Sequence, residues 1–218
     1  QKPSINLSNI IDGSYAKNVD SYFSDQFFLR NSWIRLKVKL DLICGKRESN
    51  GVFIGQDDYL MEIPVNPDSE WLNKNLASIA DFAERHKDKR IVMSVVPNSA
   101  FILNEKVPKN AYVRDQAQDE KIISQKVGKN VDFVEMTETL RNHADEYIFY
   151  KTDHHWTSLG AKYVFENMIN NLGINDPVSD YDIYTVSNSF SGSMASKSGY
   201  QATFDEIKIM IPRNYNTE

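Results

Sequence analysis

The chain holds a single cysteine, Cys44, in 218 residues. One thiol forms no internal disulfide, and it excludes a metal centre built from several cysteines. Positive charge is also in short supply: 25 Lys and Arg against 30 Asp and Glu leave a formal net charge of −5. A general nucleic-acid binder needs a basic face to displace counterions, so no nucleic-acid partner is expected. No apolar run approaches the roughly 18 residues that a membrane-spanning helix needs, so no span is expected either. The nine glycines are scattered and build no phosphate-cradling loop. What remains is an ordinary globular balance of 41% hydrophobic and 25% charged residues, long enough to bury a core without staples.

Periodicity predicts the following order of elements. Residues 1–13 read as an irregular lead-in. Ser14 to Ile43 carries apolar residues at helical spacing, with a break around Asp25-Gln26-Phe27 and a stop at Gly45. Residues 51–55 and 59–63 read as a hairpin around Gln56-Asp57-Asp58. A helix capped by Asp68 or Ser69 follows, with Leu72, Leu76, Ile79 and Ala83 on one face. Residues 91–96 form a β-branched run expected to be a strand buried on both faces. Further helices are expected over 115–127, 137–143 (capped by Thr137) and 158–172. Further strands are expected over 131–136 and 147–150. The polar stretch 176–203 reads as a long loop, and 205–212 as a strand. Alternating strands and helices predict an α/β fold, a three-layer, doubly wound, mostly parallel sheet in one domain spanning 1–218. The chain starts at Gln1 with no basic-then-apolar leader, which reads as a processed or trimmed protein. It is also expected to continue past Glu218.

The chemistry concentrates in Lys151-Thr152-Asp153-His154-His155-Trp156-Thr157, between the expected third strand and the next helix. Carboxyl ends of strands line the ligand crevice in an open α/β sheet. In an extended segment residues i and i+2 share a face, so Asp153 and His155 are expected to meet while His154 points elsewhere. A carboxylate on Nδ1–H fixes the tautomer and leaves Nε2 free as a base. The bland alternative is that Asp153 caps the turn and both histidines are satisfied polar residues. Adjacent histidines diverge and no third ligand stands at a metal-like spacing, so no metal is expected. Trp156 is expected to pack under the imidazole or roof the pocket, with Tyr147, Tyr150 and Tyr200 as further aromatic candidates near it. Thr157 or Ser158 caps the following helix.

The run Tyr150-Lys151-Thr152-Asp153-His154-His155-Trp156-Thr157-Ser158-Leu159-Gly160-Ala161 resembles the bacterial DHHW family. That family is similar to SGNH-hydrolase-like enzymes that O-acetylate alginate and other surface polysaccharides. Weaker likeness lies in Asp25-Gln26-Phe27 with Arg30, the 51–60 hairpin, Val96-Pro97 and Gly192-Ser193-Met194-Ala195-Ser196-Lys197-Ser198-Gly199. The resemblance implies an SGNH-like fold with an N-terminal helical segment, and Asp153 and His155 as two members of a Ser-His-Asp triad. The family's serine sits in a downstream Asp-Ser block. No such block follows His155, so the nucleophile is expected beyond Glu218, with Ser99 read as a turn or cap residue instead. His154, Trp156, Ser193 and Lys197 are expected substrate contacts. A polysaccharide substrate, an extracellular or cell-envelope location, a membrane acyl-donor partner and no cofactor follow from the same resemblance. The alternatives are a non-catalytic glycan-binding or scaffold protein and a metal-dependent hydrolase.

Overall fold

The computed structural model describes residues 5–26, 28–174 and 180–213. The chain divides into two compact units, Gln1–Lys46 and Arg47–Glu218. The first holds α1 (Leu7–Ile11), α2 (Ser14–Gln26) and α3 (Arg30–Ile43). α1 lies in what reads as an irregular lead-in. Its signal is the cap: the Asn6 side chain accepts the Asn9 N–H at 2.8 Å. The expected helix break falls between α2 and α3, where Phe27 lies outside the described residues. Gly45 follows α3 at φ +88°, a backbone that favours glycine.

The second unit opens with β1 (Glu48–Ser49), β2 (Val52–Ile54) and β3 (Leu60–Glu62), an antiparallel sheet in the order β1-β2-β3. The hairpin is as expected, closed by a 3-10 turn over Gln56–Asp58. Then come α4 (Ser69–Arg85), β4 (Val92–Met93), α5 (Ser99–Ile102), α6 (Gln116–Val127), β5 (Asp132–Phe133), α7 (Thr137–Arg141) and α8 (Ser158–Leu172). Asp68 caps α4 by accepting the Glu70 and Trp71 N–H groups. The predicted apolar face of α4 packs as one cluster with Ile123 and Val127 of α6, and with Ile91, Met93 and Phe133. Val92 and Val134 turn to the larger core, which includes Met61, Phe101, Leu140, Ile148, Phe149 and Val164.

The fold is mixed α/β with small sheets. The expected wide parallel sheet is represented, among the described residues, by the single parallel pair β4-β5. The expected strand 91–96 shrinks to Val92–Met93, both half-buried, and Val96 is 41% exposed. Residues 147–150 form no strand beyond one antiparallel bridge, Phe149 to Trp156. The described part of the stretch expected as a loop, 180–203, is not one. It contains β6 (Tyr181–Phe190) and α9 (Ser193–Ser198), and β6 pairs antiparallel with β7 (Asp205–Pro212). Residues 175–179 lie outside the described set.

The caps of α7 and α8 divide, the first overturning its expectation and the second meeting it. Thr137 does not cap α7; its hydroxyl donates to the buried Glu120, whose other oxygen accepts the Met136 N–H. Thr157 does cap α8, accepting the Gly160 N–H while donating to the Tyr147 carbonyl. At Gly160 an added Cβ would lie 2.4 Å from the Ile148 carbonyl oxygen and 3.1 Å from Trp156 Cβ. Backbone cannot yield as a side-chain tip does, so Gly160→Ala should destabilise the chain by about 1–3 kcal/mol. A urea midpoint shows this directly. An unchanged midpoint contradicts the close approach.

Candidate active site

The segment 148–157 folds back on itself as a short ladder. Thr157 N–H meets the Ile148 carbonyl at 2.9 Å and Tyr150 N–H meets the His155 carbonyl at 3.1 Å. Lys151 to His155 form the turn at its end. Within it, Asp153 is buried and both histidines are exposed, His155 with 66% of its side chain in solvent. Asp153 Oδ1 accepts the His155 backbone N–H at 3.0 Å and approaches His155 Nδ1 at 2.5 Å. The i, i+2 expectation is therefore met in geometry, with Nε2 left toward solvent as the free ring nitrogen.

The second carboxylate oxygen is held from 40 residues away. Asp153 Oδ2 accepts both the backbone N–H and the hydroxyl of Ser193, each at 2.8 Å. The fit needs Gly192, where an added Cβ would sit 2.4 Å from Asp153 Cβ and 2.7 Å from Oδ2. Burial alone pushes the Asp153 carboxyl up. The Ser193 and His155 hydrogen bonds outweigh it and hold the group well below the usual carboxylate range.

His154 does not point away. Its ring lies 3.8 Å from that of His155, and its Nδ1 is 2.8 Å from Ser193 Oγ. An ionised Asp153 only accepts, so the Ser193 hydroxyl donates to it and His154 Nδ1–H donates to Ser193. Both imidazoles are thus held through Nδ1, His155 directly and His154 through Ser193. Among the described residues, Asp153, His154 and His155 also form a group whose ligand-type atoms lie within 4.8 Å of one another. Four donors already occupy the Asp153 oxygens, so a cation there would compete with them and meet chiefly the two imidazoles.

The remaining sequence candidates divide. Trp156 packs half-buried against the main core. Lys197 Nζ lies 2.7 Å from Glu62 Oε1 on the hairpin, not on Asp153 or His155. Tyr150 stacks edge-on with Phe190 at 5.7 Å. Ser99 is buried at the start of α5, after the capping Asn98. Sequence reasoning missed Thr152 and Asp205. Thr152 is buried, and its Oγ accepts the Gly192 N–H at 2.9 Å. Asp205 is buried beneath the turn. No local spacing points to either, because their partners lie 40 and 53 residues away.

Asp153 also supplies a pH test. Its carboxyl is depressed in the folded chain, so its stabilising share is complete above about pH 4, the ordinary carboxylate value. That share is lost as pH falls through the lower folded value. Asp153→Asn lacks the ionising group, so its stability deficit should narrow between pH 6 and pH 3 in chemical denaturation. A deficit that stays constant over that span contradicts an ionised, hydrogen-bonded Asp153.

Comparison with known proteins gives this arrangement a context. Residues 69–203, more than half of the chain, match the family model described as DHHW protein. The chain is 23% identical over 168 residues to the probable alginate O-acetylase AlgJ of Pseudomonas aeruginosa, covering 73% of this chain and 42% of that one. A DHHW family protein from Eubacterium siraeum shares its fold with TM-score 0.62 at 24% identity, over 76% of this chain and 55% of that one. The O-acetyltransferase domain of Pseudomonas putida AlgJ aligns with TM-score 0.56 at 19% identity, over 75% of this chain and 66% of that one. The chain thus spans about two fifths of the curated relative's length and about half of the Eubacterium protein's. With the family model covering both the α4–α6 layer and the Asp153–Ser193 site, the chain belongs to the DHHW family.

Proposed function

We propose that this chain carries the Asp-His part of an SGNH-type acyl-transfer site, in an O-acetyltransferase or esterase acting on an extracytoplasmic polysaccharide. The observation that carries the reading is the Asp153–His155 contact at 2.5 Å, with Asp153 fixed by Ser193. The likeness to the alginate O-acetylase and to an O-acetyltransferase domain supports the acetyl group and the polysaccharide. No helix among the described residues is long and apolar enough to cross a membrane. A membrane acyl-donor partner at the cell envelope belongs to the same proposal.

The chemistry follows the roles of a Ser-His-Asp triad. His155 Nε2 takes the proton of a serine hydroxyl as its oxygen attacks the acetyl carbonyl. Asp153 stays ionised and stabilises the imidazolium. The tetrahedral intermediate collapses to acetyl-serine, and His155 returns the proton to the leaving oxygen. A sugar hydroxyl, or water in an esterase, then gives its proton to Nε2 and attacks the acetyl carbonyl, and the serine oxygen leaves with that proton. Among the described residues no serine hydroxyl meets His155 Nε2. Ser193 cannot serve while its hydroxyl donates to Asp153. The proposal places the nucleophile outside the described residues, beyond Glu218 in the natural protein. His154 and Trp156 border the site and are the proposed substrate contacts, whereas Lys197 is proposed to act farther out, from the hairpin side.

Acetyl release from a chromogenic acetyl ester by the natural protein tests this. Asp153→Asn should lower kcat by about 10³–10⁴-fold through loss of tautomer control, and His155→Ala should abolish it, both with folding retained. A chelator should leave the wild-type rate unchanged. Full activity in Asp153→Asn overturns the dyad, and loss of activity to the chelator favours a metal at Asp153, His154 and His155.

A further inference from the structure

The 151–155 turn is gripped from two sides. One grip is Ser193 on Asp153. The other is Asp205, the first residue of β7, only 1% exposed. Asp205 Oδ1 accepts the Lys151 N–H at 2.8 Å and the Tyr147 hydroxyl. Oδ2 accepts the Thr152 N–H at 2.7 Å and the Thr152 hydroxyl at 2.5 Å. With its proton on Asp205, Thr152 Oγ is free to accept, and it takes the Gly192 N–H at 2.9 Å. The Thr152 carbonyl takes the N–H groups of Met194 and Ala195 at 3.0 and 3.1 Å. Thr152 is thereby fixed at its nitrogen, its hydroxyl and its carbonyl, one residue before Asp153. The same bonds fix Gly192, one residue before Ser193.

We propose that Asp205 is a positioning residue. Through Thr152 it sets both the direction of Asp153 and the place of the Gly192–Ser193 turn, so that Asp153 Oδ1 meets His155 Nδ1. The inference rests on the reading of Asp153 and His155 as a working dyad. Two features make the carboxylate specific. All four donors converge on acceptor sites, and a carboxylate offers about four of them with no donor of its own. An amide would turn an N–H₂ group toward N–H and O–H donors and leave some of them unpaired. Tyr147, one of the donors, is kept neutral by burial and by the Asp205 charge, which preserves it as a donor. Neither Asp205 nor Thr152 hydrogen-bonds His155, so the effect on the imidazole is transmitted, not direct.

The His155 tautomer reads this without any need for turnover. Long-range ¹H–¹⁵N NMR on the 218-residue chain, at a pH where the imidazole is neutral, distinguishes Nδ1–H from Nε2–H. Wild type and Thr152→Ser, which keeps the hydroxyl, should show His155 with Nδ1–H as the dominant form. Thr152→Val and Asp205→Asn should reduce that form to a minor one, while circular dichroism reports a folded chain. If Asp205→Asn does not fold, the Thr152→Ser and Thr152→Val pair decides. A merely structural Asp205 would lower the melting temperature and leave the tautomer in place. Folded variants that retain Nδ1–H overturn this inference alone. A wild-type His155 without Nδ1–H overturns the dyad reading and this inference together.

Discussion

Burying a carboxylate costs several kcal/mol unless hydrogen-bond donors replace its water. In the Arg47–Glu218 unit two buried carboxylates hold a five-residue turn, Asp153 from within it and Asp205 from beneath it. Each is supplied with four donors, and nearly all of those donors belong to the turn or to the segment that closes over it. The charges therefore do not merely tolerate the local backbone; they select it. Moving Thr152, Gly192 or Ser193 by an ångström would leave a buried negative charge short of donors. That constraint gives the turn a defined shape although it carries no regular secondary structure.

The rest of the unit serves as a frame for this turn. The bridge between Phe149 and Trp156 closes its base, and both residues join the main core. β7 delivers Asp205 from below, and α9 begins with the Ser193 N–H aimed at Asp153. Gly192 makes the approach of α9 possible, since any side chain there would occupy the space of the Asp153 carboxylate. The outcome is a rigid acceptor group behind an imidazole that faces solvent. Such an arrangement suits a base that must exchange protons with groups arriving from outside.

Sequence reasoning found the half of this site that is local. Asp153 and His155 are two residues apart, and their contact needs nothing more than a turn. The hairpin at 51–63, the α4 face and the Asp68 cap were legible for the same reason. What was hidden depends on long separations. Asp205 and Gly192 reach Thr152 across 53 and 40 residues, and an isolated Asp at a strand start carries no periodic signal. β6 was hidden because its Ser, Asn, Thr and Asp residues lie in a two-stranded ribbon with open faces, where no apolar alternation is demanded. The expected divergence of His154 failed because the segment is a tight turn and not an extended strand, and Ser193 draws the His154 ring toward the carboxylate that His155 meets directly.

We propose that Asp153 and His155 activate a serine that the described residues do not supply. The most direct measurement is labelling of the natural protein with a serine-directed sulfonyl fluoride, followed by mass-spectrometric mapping of the adduct. A working Asp153–His155 dyad predicts one modified serine beyond Glu218, with labelling lost in His155→Ala. An adduct on Ser193, or labelling that is indifferent to His155, would contradict it.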